Sequence, residues 1–129
     1  CQRELRRHGV SVNDQTLAWV PGSFELPMAA RELIGSYKPD VVICLGCIIR
    51  GETSHYDHVA AESARGIARA ALDTRTPVIY GVVTAETVEQ AINRSGAKAG
   101  NRGADAAVAA IAMTRTVQNI REMSKPKSS

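Results

Sequence analysis

The nine residues from Arg50 to His58 have the side chains best suited to chemistry. Gly51 lets the backbone approach a ligand closely. Thr53 and Ser54 offer hydroxyl and backbone N–H groups at a helix start, where anions bind. His55 follows directly and can carry a proton near neutral pH. The segment therefore predicts a proton carrier beside an anion site. The alternative is simple helix capping, with His55 as an exposed first-turn residue.

A second segment, residues 93–103, combines cations with glycines and reads Asn-Arg-Ser-Gly-Ala-Lys-Ala-Gly-Asn-Arg-Gly. Such a stretch suits a phosphate, because glycines leave backbone N–H groups accessible beside the positive side chains. Arg94 is the strongest candidate, since a guanidinium binds phosphate through two parallel hydrogen bonds. The alternative is a solvated surface loop. The P-loop pattern is absent.

Residues 20–25, Val-Pro-Gly-Ser-Phe-Glu, form a third candidate segment. Pro and Gly predict a sharp turn, and Phe24 is suited to lining a pocket. Glu25 begins a helix, where the helix dipole favours a carboxylate. The alternative is that Ser23 caps this helix and Glu25 is an ordinary first-turn acid.

Cysteine offers no further chemistry. Cys44 and Cys47 lie in one apolar run, and strand positions three apart point to opposite faces. The two thiols therefore cannot easily form a disulfide or bind one metal ion, and we predict that both are buried and structural. No metal-ligand cluster and no activated nucleophile is evident, so we expect neither a metal nor a cofactor.

The surrounding elements must position the three segments. Strands are predicted at Thr16–Val20, Val41–Ile49 and Val78–Val83. Helices are predicted over five ranges, namely Cys1–His8, Glu25–Ser36, His55–Asp73, Ala85–Ser95 after an N-cap at Thr84, and Ala104–Met123. Strands that are apolar on both faces and alternate with helices predict an α/β fold, a three-layer αβα sandwich around a parallel sheet. Ligands bind outside the carboxyl ends of such strands.

Composition narrows the class of protein. A chain of 129 residues with 44% apolar residues fits one domain, and residues 124–129 read as a flexible tail. The basic residues near the two ends are not interleaved with aromatics, so no nucleic-acid footprint is predicted. No apolar run approaches the roughly 20 residues of a membrane span. No signal peptide is evident, so the cytoplasm is the expected location.

The three segments resemble the motifs of the lumazine synthase family. Val20-Pro-Gly-Ser-Phe-Glu-Leu-Pro27 is similar to its VPGSFE element, and Ile49-Arg-Gly-Glu-Thr-Ser-His-Tyr-Asp57 to its IRGxTxHYD element. Residues 93–103 are similar to its RxGxKxGNKG element, and the run from Tyr80 to Glu86 also fits. The order and spacing match over almost the whole chain. The resemblance implies a flavodoxin-like sheet, and an enzyme that joins a ribitylamino-pyrimidinedione to a butanone phosphate.

The resemblance also implies roles for individual residues. His55 transfers protons, Glu25 holds the ribityl chain, and the phosphate binds to Arg94, Thr53 and the backbone around Glu52. The pocket is lined by four residues, namely Ser23, Phe24, Ile48 and Ile49. Three residues come from a neighbouring subunit, namely Tyr80, Arg94 and Arg102, because the family's site lies between subunits of a pentamer. A pentamer or a multiple of it is therefore expected.

The chain departs from the family pattern at several points. Arg102 stands where Lys is more usual, and Glu52 where a small residue is common. The family's first, central strand is absent, so we expect a truncated domain whose strands at 16–20 and 41–49 flank a gap of about 10 Å. The alternatives are a flavin-binding or shell-forming homologue without activity, and another sugar-phosphate α/β enzyme. Intact His55 and Arg94 favour the enzyme.

Overall fold

The structure is a computed structural model that describes residues 1–51, 55–96 and 100–126. In chain order its helices and strands are α1 (Gln2–Arg7), α2 (Leu26–Tyr37), β1 (Val42–Ile49), α3 (His55–Thr74), β2 (Val78–Ala85), α4 (Val88–Arg94) and α5 (Arg102–Met123). Two short 3-10 turns precede α2, at Val12–Asp14 and Ser23–Glu25. Within these residues, no helix has the length and apolar character needed to cross a membrane.

Strands β1 and β2 form a parallel sheet. All eight residues of each strand are in register, from Val42 beside Val78 to Ile49 beside Ala85. Parallel neighbours need a crossover connection, and the 20 residues of α3 provide it. The carboxyl ends of both strands therefore lie at the same edge of the sheet.

Helices cover both faces of this sheet, which confirms the predicted three-layer α/β fold. On one face α2 and α3 bury an apolar cluster that consists of Leu26, Ala30, Val42, Cys44, Ile48, Ile67 and Val82. On the other face α5 lies very close to β2. A Cβ atom on Gly81 would lie 3.1 Å from the Cβ of Ala106. Small residues thus permit the close approach of α5 to the sheet.

Helix α4 begins later than the sequence predicted. Strand β2 continues to Ala85, and Thr84 pairs with Ile48 inside the ladder, so Thr84 is not a helix cap. The cap is Thr87, whose hydroxyl accepts the backbone N–H of Gln90 at 3.1 Å. Both threonines are suitable N-caps by residue type. Pairing with β1 decides which of them is used.

The prediction of a strand at Thr16–Val20 is wrong. These residues lie outside every helix and strand, and their backbone makes no hydrogen bond to another described residue. A strand is defined by hydrogen bonds to a neighbour, and β1 pairs only with β2 in the described ranges. The segment therefore does not pair directly with β1. The expected gap between the two stays a prediction.

Candidate active site at the carboxyl edge of the sheet

The strands end side by side at the edge where the site is predicted. Ile48 lies beside Thr84 and Ile49 beside Ala85. The backbone N–H of Arg50 donates to the carbonyl of Ala85 at 2.8 Å, which extends the ladder by one step. Ile48 is buried and Ile49 is exposed, because consecutive strand residues point to opposite faces. The two isoleucines predicted to line the pocket therefore face different helical layers.

Two glycines bring the Ser23–Glu25 turn to the sheet. A Cβ atom on Gly46 of β1 would lie 2.7 Å from the Oγ of Ser23. A Cβ atom on Gly66 of α3 would lie 2.6 Å from the Cγ of Pro27, at the start of α2. Any larger residue at either position would meet its neighbour inside van der Waals contact. The turn and the start of α2 therefore fit between β1 and α3.

Phe24 and Glu25 in this turn are exposed to solvent. The Glu25 carboxylate folds back over the start of the turn, where its Oε2 would lie 3.2 Å from a Cβ atom on Gly22. A carboxylate is an acceptor-only group, so Glu25 is suited to the hydroxyl groups of a polyol. Phe24 presents an exposed aromatic ring next to it. The turn thus combines an apolar surface with a hydrogen-bond acceptor.

His55 is the first residue of α3 and is exposed. Its position follows from the topology, because the crossover helix must start where β1 ends. His58, about one turn further along α3, is also exposed. Glu52 and Thr53, on which the predicted anion site depends, lie outside the described residues. Their contacts with a phosphate stay predictions.

Arg50 is the centre of a charged cluster at the same edge. Its Nη2 donates to the two carboxylate oxygens of Asp57 at 3.4 and 3.5 Å, and its Nη1 donates to Oε1 of Glu86 at 3.3 Å. Its guanidinium carbon lies 5.4 Å from the ring centroid of Tyr56, within the range of cation–π attraction. The Arg50 side chain is 48% exposed, so each pair contributes at most about 1 kcal/mol.

An isolated backbone bridge brings the residues next to Arg94 and Arg102 together. Ser95 and Asn101 form an antiparallel bridge, and the two arginines are the residues immediately outside it. Asn101 also caps α5, since its side-chain oxygen accepts the backbone N–H of Ala104 at 3.0 Å. The bridge therefore brings Arg94, the last residue of α4, near Arg102, the first residue of α5.

Arg94 is anchored to the carboxyl end of β2. Its Nη1 donates to the carbonyl oxygen of Thr84, which lies beside Ile48 in the ladder. The side chain is exposed, and a guanidinium has five N–H donors. Arg94 therefore lies near the carboxyl edge of the sheet of its own chain and has N–H donors left for an anion.

Tyr80 lies away from this edge. It forms the third of the eight pairs of the ladder, with Cys44, and lies four residues before Thr84, which corresponds to about 13 Å along a strand. Its ring is exposed. The fold therefore does not bring Tyr80 to the site of its own chain. The expected contact of Tyr80 with the site of a neighbouring subunit stays a prediction.

The two strand cysteines differ, which corrects one prediction. Cys44 is buried, and burial raises the pKa of its thiol to about 11. Cys47 is a free and exposed thiol, although it was predicted to be buried. The reason is that α5 packs mainly on β2 and leaves this face of β1 partly open. In the ranges that the structure describes, no group of three or more His, Cys, Asp or Glu side chains could hold a metal ion.

The carboxyl edge thus combines three kinds of group. The imidazole of His55 can carry a proton near neutral pH, the guanidinium of Arg94 is suited to an anion, and the Ser23–Glu25 turn offers polar and aromatic contacts. Arg50 opens the first candidate segment, but residue types and spacing assigned it no role of its own. The available signal was its position directly after an apolar strand, where side chains emerge at the ligand-binding edge.

A parallel sheet between two helical layers, with these groups at its carboxyl edge, defines the class of flavodoxin-like α/β proteins. A sequence model of the 6,7-dimethyl-8-ribityllumazine synthase family matches residues 1–118, and the chain belongs to that family. The family works in riboflavin biosynthesis and comprises transferase-type condensing enzymes.

Proposed function

We propose that the chain catalyses the formation of 6,7-dimethyl-8-ribityllumazine. The substrates are 5-amino-6-(ribitylamino)pyrimidinedione and 3,4-dihydroxy-2-butanone 4-phosphate, and phosphate and water are released. The observation that carries this proposal is the family match over residues 1–118. The presence of His55 at the carboxyl edge of the sheet and of Arg94 at the end of α4 supports it. A non-catalytic relative would need neither side chain.

The reaction is a condensation. An amine of the pyrimidine attacks the ketone, and loss of water forms a Schiff base. Elimination then breaks the carbon–oxygen bond to phosphate and leaves an enol, which tautomerises to a new ketone at the carbon that carried the 3-hydroxyl. The second amine attacks this ketone, and loss of a second water closes the ring. Each step moves protons between nitrogen, carbon and oxygen. A positioned imidazole accelerates such transfers by roughly 10²–10⁴-fold, and His55 has this role in the proposal.

The other residues bind and orient the two substrates. Arg94, with Thr53 and the backbone around Glu52, holds the phosphate, since a guanidinium binds such oxyanions through two hydrogen bonds. Glu25 accepts hydrogen bonds from the ribityl hydroxyls. The pyrimidine ring lies among the pocket residues Ser23, Phe24, Ile48 and Ile49. Alignment of two bound substrates supplies a further large part of the rate.

We also propose that the working form is a homo-oligomer, a pentamer or a multiple of it. Large apolar side chains that are strongly exposed support an assembly, because a subunit interface would remove their surface from water. Trp19 is 89% exposed, and Leu72 is 79% exposed. Tyr80 and Arg102 would reach the site of a neighbouring subunit, and Arg94 would bind phosphate across the same boundary. The cytoplasmic location stays a prediction.

The direct test is turnover of the two proposed substrates by the full chain. Lumazine formation is followed by its absorbance, and phosphate release is measured in parallel. We expect equal amounts of both products, and neither product when one substrate is omitted. Tight binding of a flavin or of the pyrimidine without turnover would instead identify a binding protein and overturn the proposal.

A further inference from the structure

We propose that Arg50 is a positioning residue, which fixes His55 by tying the first turn of α3 to the end of β2. This inference rests on the proposed function, in which His55 transfers protons. Arg50 itself touches no reacting atom in the proposal. It acts through the two residues that follow His55, Tyr56 and Asp57.

The contacts of Arg50 span three elements. Its backbone is fixed by the hydrogen bond from its N–H to the Ala85 carbonyl at 2.8 Å. Its side chain donates to Asp57 in the first turn of α3 and to Glu86 directly after β2. It also stacks over Tyr56. One side chain therefore links the end of β1, the start of α3 and the segment after β2.

Arginine is suited to this task, and lysine is not. The guanidinium is planar and presents its donors at fixed angles. Nη1 binds Glu86 while Nη2 binds Asp57, so the angle between the two carboxylates is set by the plane of one group. A lysine ammonium keeps the charge but has no such plane. Arg50→Lys should therefore retain the electrostatics and lose the alignment.

The same contacts contribute little to overall stability, because all three charged side chains are about half exposed or more. Exposed ion pairs of this kind have small effects on unfolding. Catalysis is far more sensitive, since a displacement of about 1 Å at a catalytic group can cost roughly 100-fold in rate. A residue that aligns His55 should therefore affect turnover much more than folding.

The test compares Arg50→Met and Arg50→Lys with a matched control, Arg65→Met. Arg65 lies on α3, the helix that begins at His55, and forms an exposed pair with Glu62 at 2.9 Å, about three turns after His55. We expect both Arg50 variants to lose roughly 10- to 100-fold in kcat, with the KM for the butanone phosphate changed by less than about threefold. Arg65→Met should keep the wild-type kcat.

Two further measurements separate positioning from a general structural effect. In a His55→Ala background, Arg50→Met should lower kcat no further, because there is no imidazole left to align. Amide hydrogen exchange at residues 56–58 should be faster in Arg50→Met than in Arg65→Met, with melting temperatures within about 2 °C of the wild type.

Any of three outcomes would overturn the role of Arg50. The losses in kcat of Arg50→Met and His55→Ala are additive, Arg50→Lys has full activity, or amide exchange at residues 56–58 is unchanged in Arg50→Met. Failure of the proposed function looks different. In that case the wild-type chain forms no lumazine, and the exchange measurement alone decides whether Arg50 holds the start of α3.

Discussion

Gly66 of α3 and Pro27 of α2 lie so close that a Cβ atom on Gly66 would be 2.6 Å from Cγ and 2.9 Å from Cβ of the proline ring. The ring is rigid and cannot rotate away, so this contact sets the distance between the two helices. The Ser23–Glu25 turn leads directly into α2. One glycine, far from the reacting groups, therefore controls where the turn meets the sheet.

The first prediction concerns this contact. We expect Gly66→Ala to lower the free energy of unfolding by about 1–3 kcal/mol, because overpacking outweighs the gain in helix propensity. Gly35→Ala is the matched control, since Gly35 is also helical and has no atom within 4 Å of its added Cβ. That variant should be more stable by about 0.5–1 kcal/mol. Urea unfolding measures the free energy of unfolding of both variants. Equal changes in the two variants would contradict the packing argument.

His55→Ala should slow turnover with little loss of stability. The imidazole is exposed at the carboxyl edge, so its removal leaves no cavity in the core. We expect kcat to fall by roughly 10²–10⁴-fold. His58→Ala, a second exposed histidine in the same helix, should keep normal activity. If the rate of His55→Ala is unchanged, another group moves the proton.

A shared site between subunits predicts complementation. His55→Ala and Arg94→Ala proteins should each be inactive, whereas mixed assemblies should recover some activity. The reason is that a few interfaces then contain both native residues. Subunit exchange is verified by mass spectrometry of differently labelled chains. In the structure, Arg94 also binds Thr84 of its own chain, so continued inactivity after proven exchange would assign Arg94 to the site of its own subunit.

Cys44 should make stability depend on pH above neutrality. Burial raises the pKa of its thiol from 9.0 to about 11, so the folded chain holds this proton more tightly than the unfolded chain. The contribution is fully present below about pH 9 and is lost as the pH rises through about 11, a total of up to about 3 kcal/mol.

The measurement is urea unfolding of the wild type and of Cys44→Ala between about pH 8 and pH 10.5. Lysines and tyrosines titrate in both proteins, so only the difference between the two curves reports Cys44. The wild type should lose stability more steeply. Parallel curves would show that the buried thiol does not hold its proton in this way.

Among the residues that the structure describes, β1 pairs along one edge only, which predicts a pattern of amide exchange. The N–H groups of Val42 and Arg50 donate to Pro77, directly before β2, and to Ala85 at its end. Strand backbones alternate, so the N–H groups of Ile43, Leu45 and Cys47 point to the other edge. We expect fast exchange at these odd positions and slow exchange at the even ones, read by NMR. Protection of both sets would show that a further segment or subunit pairs with this edge.

Much of the fold was accessible from sequence because it depends on short-range patterns. The apolar runs of β1 and β2 and the helical spacing of α3 and α5 each carry their own signal. The strand prediction for Thr16–Val20 failed because a strand exists only with a hydrogen-bonded partner. These residues have no such partner among those described. The choice of Thr87 over Thr84 as the cap of α4 likewise depends on pairing with β1.

The sequence by itself determined the class of fold, the order of the three motifs, and which side chains are chemically suited to acid–base work and anion binding. Only the tertiary structure decided that Cys47 is exposed while Cys44 is buried. It also decided that Tyr80 lies about 13 Å along β2 from Thr84 at the carboxyl edge. It decided, too, that Arg50 joins three elements. The physical reason is the distance along the chain over which each property is determined. Residue types and periodicity report local preferences, whereas burial and side-chain contacts depend on how distant segments pack.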